Sequence, residues 1–172
     1  MRRFAIFGLA LALFACNDDS PTGPSNSGPI VFTAELRASN EVPAITNAES
    51  NAQGTATITF NVPRDGSGNI TGDGTWTIQA VVSGFTDSSV VRAAHIHNGP
   101  AGATAGIFID TGVNAVNPIP VSSGTTTVNI EQAFILGTRA QAVLDNPAGH
   151  YFNMHTPLNG GGAIRGQLVR VR

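Results

Sequence analysis

Three of the four histidines in the chain fall in two short segments whose spacing suits metal coordination. His95 and His97 flank Ile96, and His155 ends the run Tyr-Phe-Asn-Met-His that begins at residue 151. In an extended strand, His95 and His97 point to the same face about 6.6 Å apart, while Ile96 points into the core. His155, on a second strand, can supply a third imidazole. Three imidazoles and one open position suit copper or zinc better than magnesium or calcium, which favour oxygen ligands.

A purely structural role for the same side chains is the alternative interpretation. In that case the histidines hydrogen-bond backbone carbonyls and the neighbouring Asn98 or Asn153, and so fix two loops. Arg165 also has two interpretations: an anion contact beside the histidines, or a guanidinium bonded to loop carbonyls, which is the more usual state of a buried arginine. Asn98, Asn153 and Arg165 are therefore the predicted neighbours of the ligand set His95, His97 and His155. Both interpretations remain open at this point.

Short runs of alternating apolar and polar residues predict the strands that carry these side chains. The predicted strands cover residues 30–38, 55–62, 74–82, 90–97, 106–110, 125–130, 149–155 and 163–169. Between residues 131 and 144 the apolar residues recur at helical spacing, so one short helix is expected in this connection. About eight antiparallel strands and one helix predict an all-β fold, a Greek-key β-sandwich with the single Trp76 in its core.

The two histidine segments resemble the CHRD domain, the module named after chordin. The resemblance rests on His-x-His-x-Gly-Pro-Ala-Gly from residue 95, Tyr-x-Asn-x-His-Thr from residue 151 and Gly-Gly-x-Ile-Arg-Gly-Gln-Leu from residue 161. An opening Phe-Thr-Ala-Glu-Leu from residue 32, followed by Asn-Glu-Val-Pro from residue 40, fits as well. The resemblance covers roughly residues 30 to 170. It implies a secreted binding module, because the family is described by its domain and not by a reaction.

The expected sandwich with its His-x-His pair is also similar to copper-zinc superoxide dismutase, in which such a pair and a late histidine bind copper. This chain departs from that pattern, since residues 98–115 contain no histidine for a second metal and the single cysteine excludes a bracing disulfide. Asp110 is the nearest acid, and nothing in the sequence brings it to the site. A binding function is therefore favoured over an enzymatic one, and dismutase activity is not expected.

The N-terminal residues predict export and a lipid anchor. Arg2 and Arg3 precede a short apolar run that ends in Leu-Phe-Ala-Cys, the pattern of a bacterial lipoprotein signal peptide over residues 1–16 with Cys16 as the lipidated residue. An ordinary signal peptide with a stray cysteine is the alternative. Residues 17–29 are small and polar and predict a flexible tether. Residues 30–172 then form one domain, held at the cell envelope.

The composition narrows the range of partners. The chain contains no lysine, its formal net charge is −2, and only 12% of its residues are charged. Nucleic acid is not an expected partner, because phosphate binding depends on clustered lysine and arginine. The expected partners are the membrane, through the N-terminal lipid, and a copper or zinc ion. In the alternative interpretation the domain presents its loops to an extracellular protein or glycan.

Overall fold

The computed structural model describes residues 28–172, which contain eleven strands and one α-helix. The predicted signal peptide, Cys16 and the tether as far as residue 27 lie outside the described residues. The helix is α1 (Gly137–Asp145). The strands are β1 (Ile30–Arg37), β2 (Gln53–Asn61), β3 (Gly74–Ser83), β4 (Val90–Val91), β5 (Ala93–Asn98), β6 (Ile107–Asp110), β7 (Ile119–Pro120), β8 (Thr126–Ile135), β9 (His150–His155), β10 (Ile164–Gln167) and β11 (Val169–Arg170).

Nine strands form one antiparallel sheet that curls like half a barrel around a single core. The strand order is β6-β5-β9-β10-β1-β2-β3-β8, β11 pairs with β1, and β4 and β7 form a separate two-stranded sheet. The predicted all-β fold with one short helix is confirmed. Strand β1 joins the two parts of the sheet, β6-β5-β9-β10 and β2-β3-β8. It pairs with β2 on one side and with β10 and β11 on the other.

Period-two alternation accounts for the core. In β1 the buried residues Ile30, Phe32, Ala34 and Leu36 alternate with more exposed ones. Phe60 of β2 packs between Phe32 and Trp76, with ring centroids 5.2 and 6.4 Å away, and Trp76 is fully buried as predicted. Each large apolar side chain buried in this way contributes about 1.5–3 kcal/mol. The core packs against one face of the sheet and holds its strands in place. The histidines lie on the opposite face.

The helix is shorter than the sequence pattern predicts. Residues 131–135 continue β8, and a bulge opposite Trp76 and Ile78 disturbs the alternation there, with Gln132 at a φ of 49°. The helix begins at Gly137, whose N–H donates to Asp73 Oδ1 at 2.7 Å. A Cβ at residue 137 would lie 2.5 Å from the Gly72 carbonyl oxygen, so a glycine is needed at this close approach.

The central position of β9 brings the histidine segments together. This strand lies between β5 and β10, and its register places Asn153 opposite His95 on one side and Arg165 on the other. Phe152 and Met154 point into the core, while alternate residues face the opposite side of the sheet. All six residues of β9 are buried, so loops cover this second face as well. Within residues 28–172, no helix has the length and apolarity needed to cross a membrane.

Candidate metal centre

His95, His97 and His155 converge on the face of β5 and β9 that points away from the core. One ring nitrogen from each histidine lies within 4.8 Å of the other two. The closest pair is His95 Nδ1 and His155 Nε2, which are 3.1 Å apart. Two nitrogens bound to one tetrahedral zinc ion at ~2.0–2.1 Å are about 3.4 Å apart. The structure thus brings the three predicted ligands together, and the closest pair lies near the separation that one ion requires.

The other ring nitrogen of each histidine is also accounted for. His97 Nδ1 donates to the Ala105 carbonyl at 2.9 Å, and His155 Nδ1 donates to the Gly160 carbonyl at 3.1 Å. A carbonyl only accepts, so each Nδ1 carries a proton, and in the neutral form that binds metal each Nε2 directs a lone pair at the centre. Outer hydrogen bonds of this kind orient histidine ligands in metal sites.

Asp110 completes this outer arrangement, although the sequence does not place it there. It pairs with His95 in the ladder between β5 and β6, and its Oδ1 lies 4.0 Å from His95 Nε2. The carboxylate is two-thirds exposed, so it attracts the His95 ring through partly screened electrostatics. With Nε2 facing Asp110, Nδ1 is the His95 nitrogen that faces the other two histidines.

The two asparagines predicted beside the histidines lie in different environments. Asn153 is buried, and its Oδ1 is 3.0 Å from His97 Nε2 and 3.2 Å from His155 Nε2. Asn98 is exposed at the end of β5, where it pairs with His150 instead of a residue of the cluster. His150, the fourth histidine, donates from Nδ1 to the Asn146 carbonyl and packs against Phe108. Asn153 therefore belongs to the centre, whereas Asn98 and His150 lie outside it.

Arg165 holds one wall of the centre through a stack of three side chains. Its guanidinium lies 3.7 Å above the Tyr151 ring, and that ring stacks on His97 at 4.7 Å with 7° between the planes. The guanidinium also donates to the carbonyls of Ala103 and Pro100 at 2.8 and 3.2 Å. These contacts favour the loop-binding interpretation of Arg165 over an anion contact.

The cluster is protected from water, which affects its protonation. Burial lowers the pKa of His95 to about 4, with a further decrease from His155 and an opposing increase from Asp110. Burial also lowers the pKa of His155, against the effect of its bond to the Gly160 carbonyl. Both imidazoles are therefore neutral near neutral pH, which is the form that binds metal ions.

A comparison with protein families identifies the domain that carries this centre. The model of the CHRD domain matches residues 32–168. The chain belongs to the CHRD domain family. No match to the chain was found among curated proteins or among solved structures. The matched range includes His95, His97, Asn153, His155 and Arg165, so the centre is part of the CHRD domain and not of an appended segment.

A buried carboxylate that the sequence analysis missed supports the loop after His155 in this CHRD domain. Glu49 is fully buried, and its Oε2 accepts hydrogen bonds from Thr156 Oγ1 and Asn159 Nδ2, both at 2.6 Å. Its Oε1 accepts from Ser89 Oγ at 3.2 Å. Gly160, which follows Asn159 in the chain, supplies the carbonyl that orients His155. Glu49 lies 107 residues before Thr156, and no local pattern signals a contact over that separation.

A second missed carboxylate, Glu41, lies close to Asn153. It is 8% exposed, and burial raises its pKa to about 7 despite opposing effects of Arg165 and of a hydrogen bond from the Asn153 side chain. Gly162 makes room for it: a Cβ at that residue would lie 2.6 Å from Glu41 Oε1. Glu41 belongs to the Asn-Glu-Val-Pro segment that the family resemblance includes, but the segment alone does not indicate its neighbours.

Replacing Glu41 with glutamine should change how stability depends on pH. The raised pKa means that protonated Glu41 stabilises the fold below about pH 4.5, a contribution lost as the pH rises through about 7. From about pH 5 to about pH 8, the free energy of unfolding of metal-free Glu41→Gln should rise relative to wild type, on the order of 1–2 kcal/mol. Urea unfolding measures the difference, and the exposed Glu35→Gln is the control. An unchanged pH dependence in Glu41→Gln contradicts the assignment.

Proposed function

We propose that this CHRD domain binds one copper or zinc ion through His95, His97 and His155, as a lipid-anchored module of the bacterial cell envelope. One observation carries the proposal. Each of the three imidazoles directs one nitrogen at a common centre. The other nitrogen donates to a backbone carbonyl in His97 and His155, and it faces the Asp110 carboxylate in His95. Imidazole nitrogen favours copper and zinc among the common metal ions.

The positions of the protons support a bound cation over a purely structural cluster. The protons of His97 and His155 are used in bonds to carbonyls, so at most one proton, on His95 Nδ1, remains among the three inner nitrogens. One proton can form one hydrogen bond between two of these nitrogens. The other inner nitrogen lone pairs then stay buried without a hydrogen-bond donor, which is unfavourable. A metal ion satisfies all three nitrogens at once.

The centre supports a site for a single ion. Among residues 28–172, these histidines form the one group of three or more His, Cys, Asp or Glu side chains within metal-binding reach of one another. His95 and His97 are buried, with 8% and 7% of their surface exposed, so the site is shielded from solvent. We assign the domain to metal binding, in storage, sensing or redox cycling.

The proposed location of the domain rests on the N-terminal sequence. The proposal places a signal peptide at residues 1–16, a lipid on Cys16 and a tether over residues 17–29, with the domain from residue 30 held outside the membrane. The CHRD domain is an extracellular type of domain, which agrees with export.

Metal titration with matched histidine variants tests the proposal. The metal-free protein should bind one equivalent of Cu²⁺ or Zn²⁺ in competition with a chromophoric chelator, and His97→Ala and His155→Ala should each weaken binding about 100-fold or more. His150→Ala is the matched control, because it removes a buried histidine outside the centre. Absence of stoichiometric binding in wild type would contradict the proposal and favour an interaction domain for an extracellular protein or glycan.

A further inference from the structure

We infer that the side-chain oxygen of Asn153 is the fourth ligand of the metal ion, and that Glu41 is the positioning residue that fixes the direction of the Asn153 amide. The inference rests on the proposed metal function and deepens it. It turns three imidazoles with an open position into a complete donor set of three nitrogens and one oxygen.

Atoms that accept hydrogen bonds approach one another closely at the centre. Asn153 Oδ1 lies 3.0 Å from His97 Nε2 and 3.2 Å from His155 Nε2. A metal-binding imidazole is neutral, and in that form both Nε2 atoms carry lone pairs, because the protons are on the Nδ1 atoms that donate to carbonyls. An amide oxygen has no hydrogen to donate. A cation among these atoms makes each of the contacts favourable.

The direction of the Asn153 amide decides whether its oxygen or its nitrogen faces the two imidazoles. If the Asn153 amide were reversed, its Nδ2 would face both imidazoles and supply two donors, and no cation would be needed. The Glu41 carboxylate opposes that reversal, because this buried group attracts the amide N–H of Asn153 and would repel the amide oxygen. The strand ladder fixes the Asn153 backbone but leaves the amide free to rotate about χ2.

Glu41 is itself fixed in place, as a positioning residue must be. Gly162, at a φ of 141°, lies directly against its carboxylate, with an ideal Cβ position 2.6–2.7 Å from both oxygens. The Arg165 guanidinium attracts the carboxylate from the neighbouring strand β10. The carboxylate therefore has little freedom to turn away from Asn153.

The donor set indicates the class of metal ion. All four donors are neutral, and an amide oxygen is a weaker and harder ligand than imidazole, similar in kind to the weak axial oxygen of some copper sites. Hard oxygen donors favour a divalent ion over soft Cu⁺. The Glu41 carboxylate balances part of the ion's charge without binding it. We therefore expect Cu²⁺ or Zn²⁺ in the centre.

Three variants of the full-length protein test the inference with Cu²⁺ and with the spectroscopic probe Co²⁺. Asn153→Leu should weaken Cu²⁺ binding by about 10–100-fold and shift the d–d bands. Asn153→Asp, which keeps an oxygen ligand, should bind within about tenfold of wild type. Glu41→Gln should weaken binding about tenfold and shift the bands in the direction of Asn153→Leu. Asn98→Leu is the control and should bind like wild type.

The outcomes separate this inference from the proposed function. If wild type binds Cu²⁺ and Asn153→Leu binds it with the same affinity and spectrum, the fourth ligand is wrong while the three-histidine site stands. An unchanged spectrum in Glu41→Gln overturns the positioning role. If Asn153→Leu does not fold, Asn153→Asp decides about the ligand: an affinity more than about tenfold below wild type overturns it. Failure of wild type to bind either ion contradicts the proposed function itself.

Discussion

Addition of Zn²⁺ to the metal-free protein should raise its thermal unfolding midpoint, and His155→Ala should abolish that increase. A ligand that binds only the folded state stabilises it by about 2.7 kcal/mol when its free concentration is a hundredfold above the dissociation constant. For a domain of this size, that free energy corresponds to a rise of roughly 5–10 °C. Zn²⁺ is the suitable ion, because it has no redox chemistry that would damage the protein during heating.

His155 is the informative position because it joins two strands. His95 and His97 both belong to β5, whereas His155 ends β9, so an ion bound to all three connects the two strands. Calorimetry with and without a chelator gives the shift for wild type, His155→Ala and the control His150→Ala. A zinc-dependent shift that survives in His155→Ala, or that is absent from wild type, contradicts the three-histidine centre.

Replacement of Glu49 by alanine should destabilise the metal-free domain by about 3–5 kcal/mol. The substitution removes the common acceptor of three donors, which are the buried Thr156 hydroxyl, the buried Asn159 amide and the partly buried Ser89 hydroxyl. Each buried donor that loses its partner costs about 1–3 kcal/mol. The exposed carboxylate of Glu35 provides the comparison, and Glu35→Ala should change stability by less than about 1 kcal/mol.

Chemical denaturation at neutral pH in the presence of a chelator measures both Glu49→Ala and Glu35→Ala. The chelator matters, because Glu49 also supports the loop whose Gly160 carbonyl orients His155, and bound metal would add its own contribution. A loss of less than about 1 kcal/mol in Glu49→Ala would show that the buried network is not a major source of stability.

The strand pattern was sufficient to predict the geometry within β5. Side chains two residues apart share a face of a strand, so His95 and His97 were expected on one side and Ile96 in the core, where it is fully buried. The meeting of His155 with that pair depends on the β5–β9 pairing, which places Ala93 opposite His155. Alternation within one strand carries no information about its partner, so the family resemblance was needed to link the two segments.

The residues around the ligands were predicted less well, for physical reasons. Asp110 reaches His95 through the β5–β6 register, which shifts at an irregularity between Ile96 and His97. Glu41 and Glu49 lie in segments without periodic structure, and they contact residues more than a hundred positions away. Such contacts depend on the complete fold. Asn98 was expected beside the centre because it follows His97. Consecutive side chains in a strand point to opposite faces, so Asn98 points away from the centre.

The continuous sheet and the short helix illustrate the same limit. The residues after 130 show helical spacing because a bulge in β8 interrupts the alternation, and only the pairing with β3 reveals that residues 131–135 are still extended. Similarly, no single segment indicates that β1 pairs with strands on both sides and joins the two halves of the sheet.

A crystal structure of the zinc-loaded protein, with anomalous data collected at the zinc absorption edge, examines the centre most directly. The proposal predicts one strong anomalous peak bonded to His95 Nδ1, His97 Nε2 and His155 Nε2 at about 2.0–2.1 Å. The Asn153 side-chain oxygen should then occupy the fourth position. A peak elsewhere on the domain, or no peak at the histidines in crystals grown with excess zinc, would contradict metal binding at this centre.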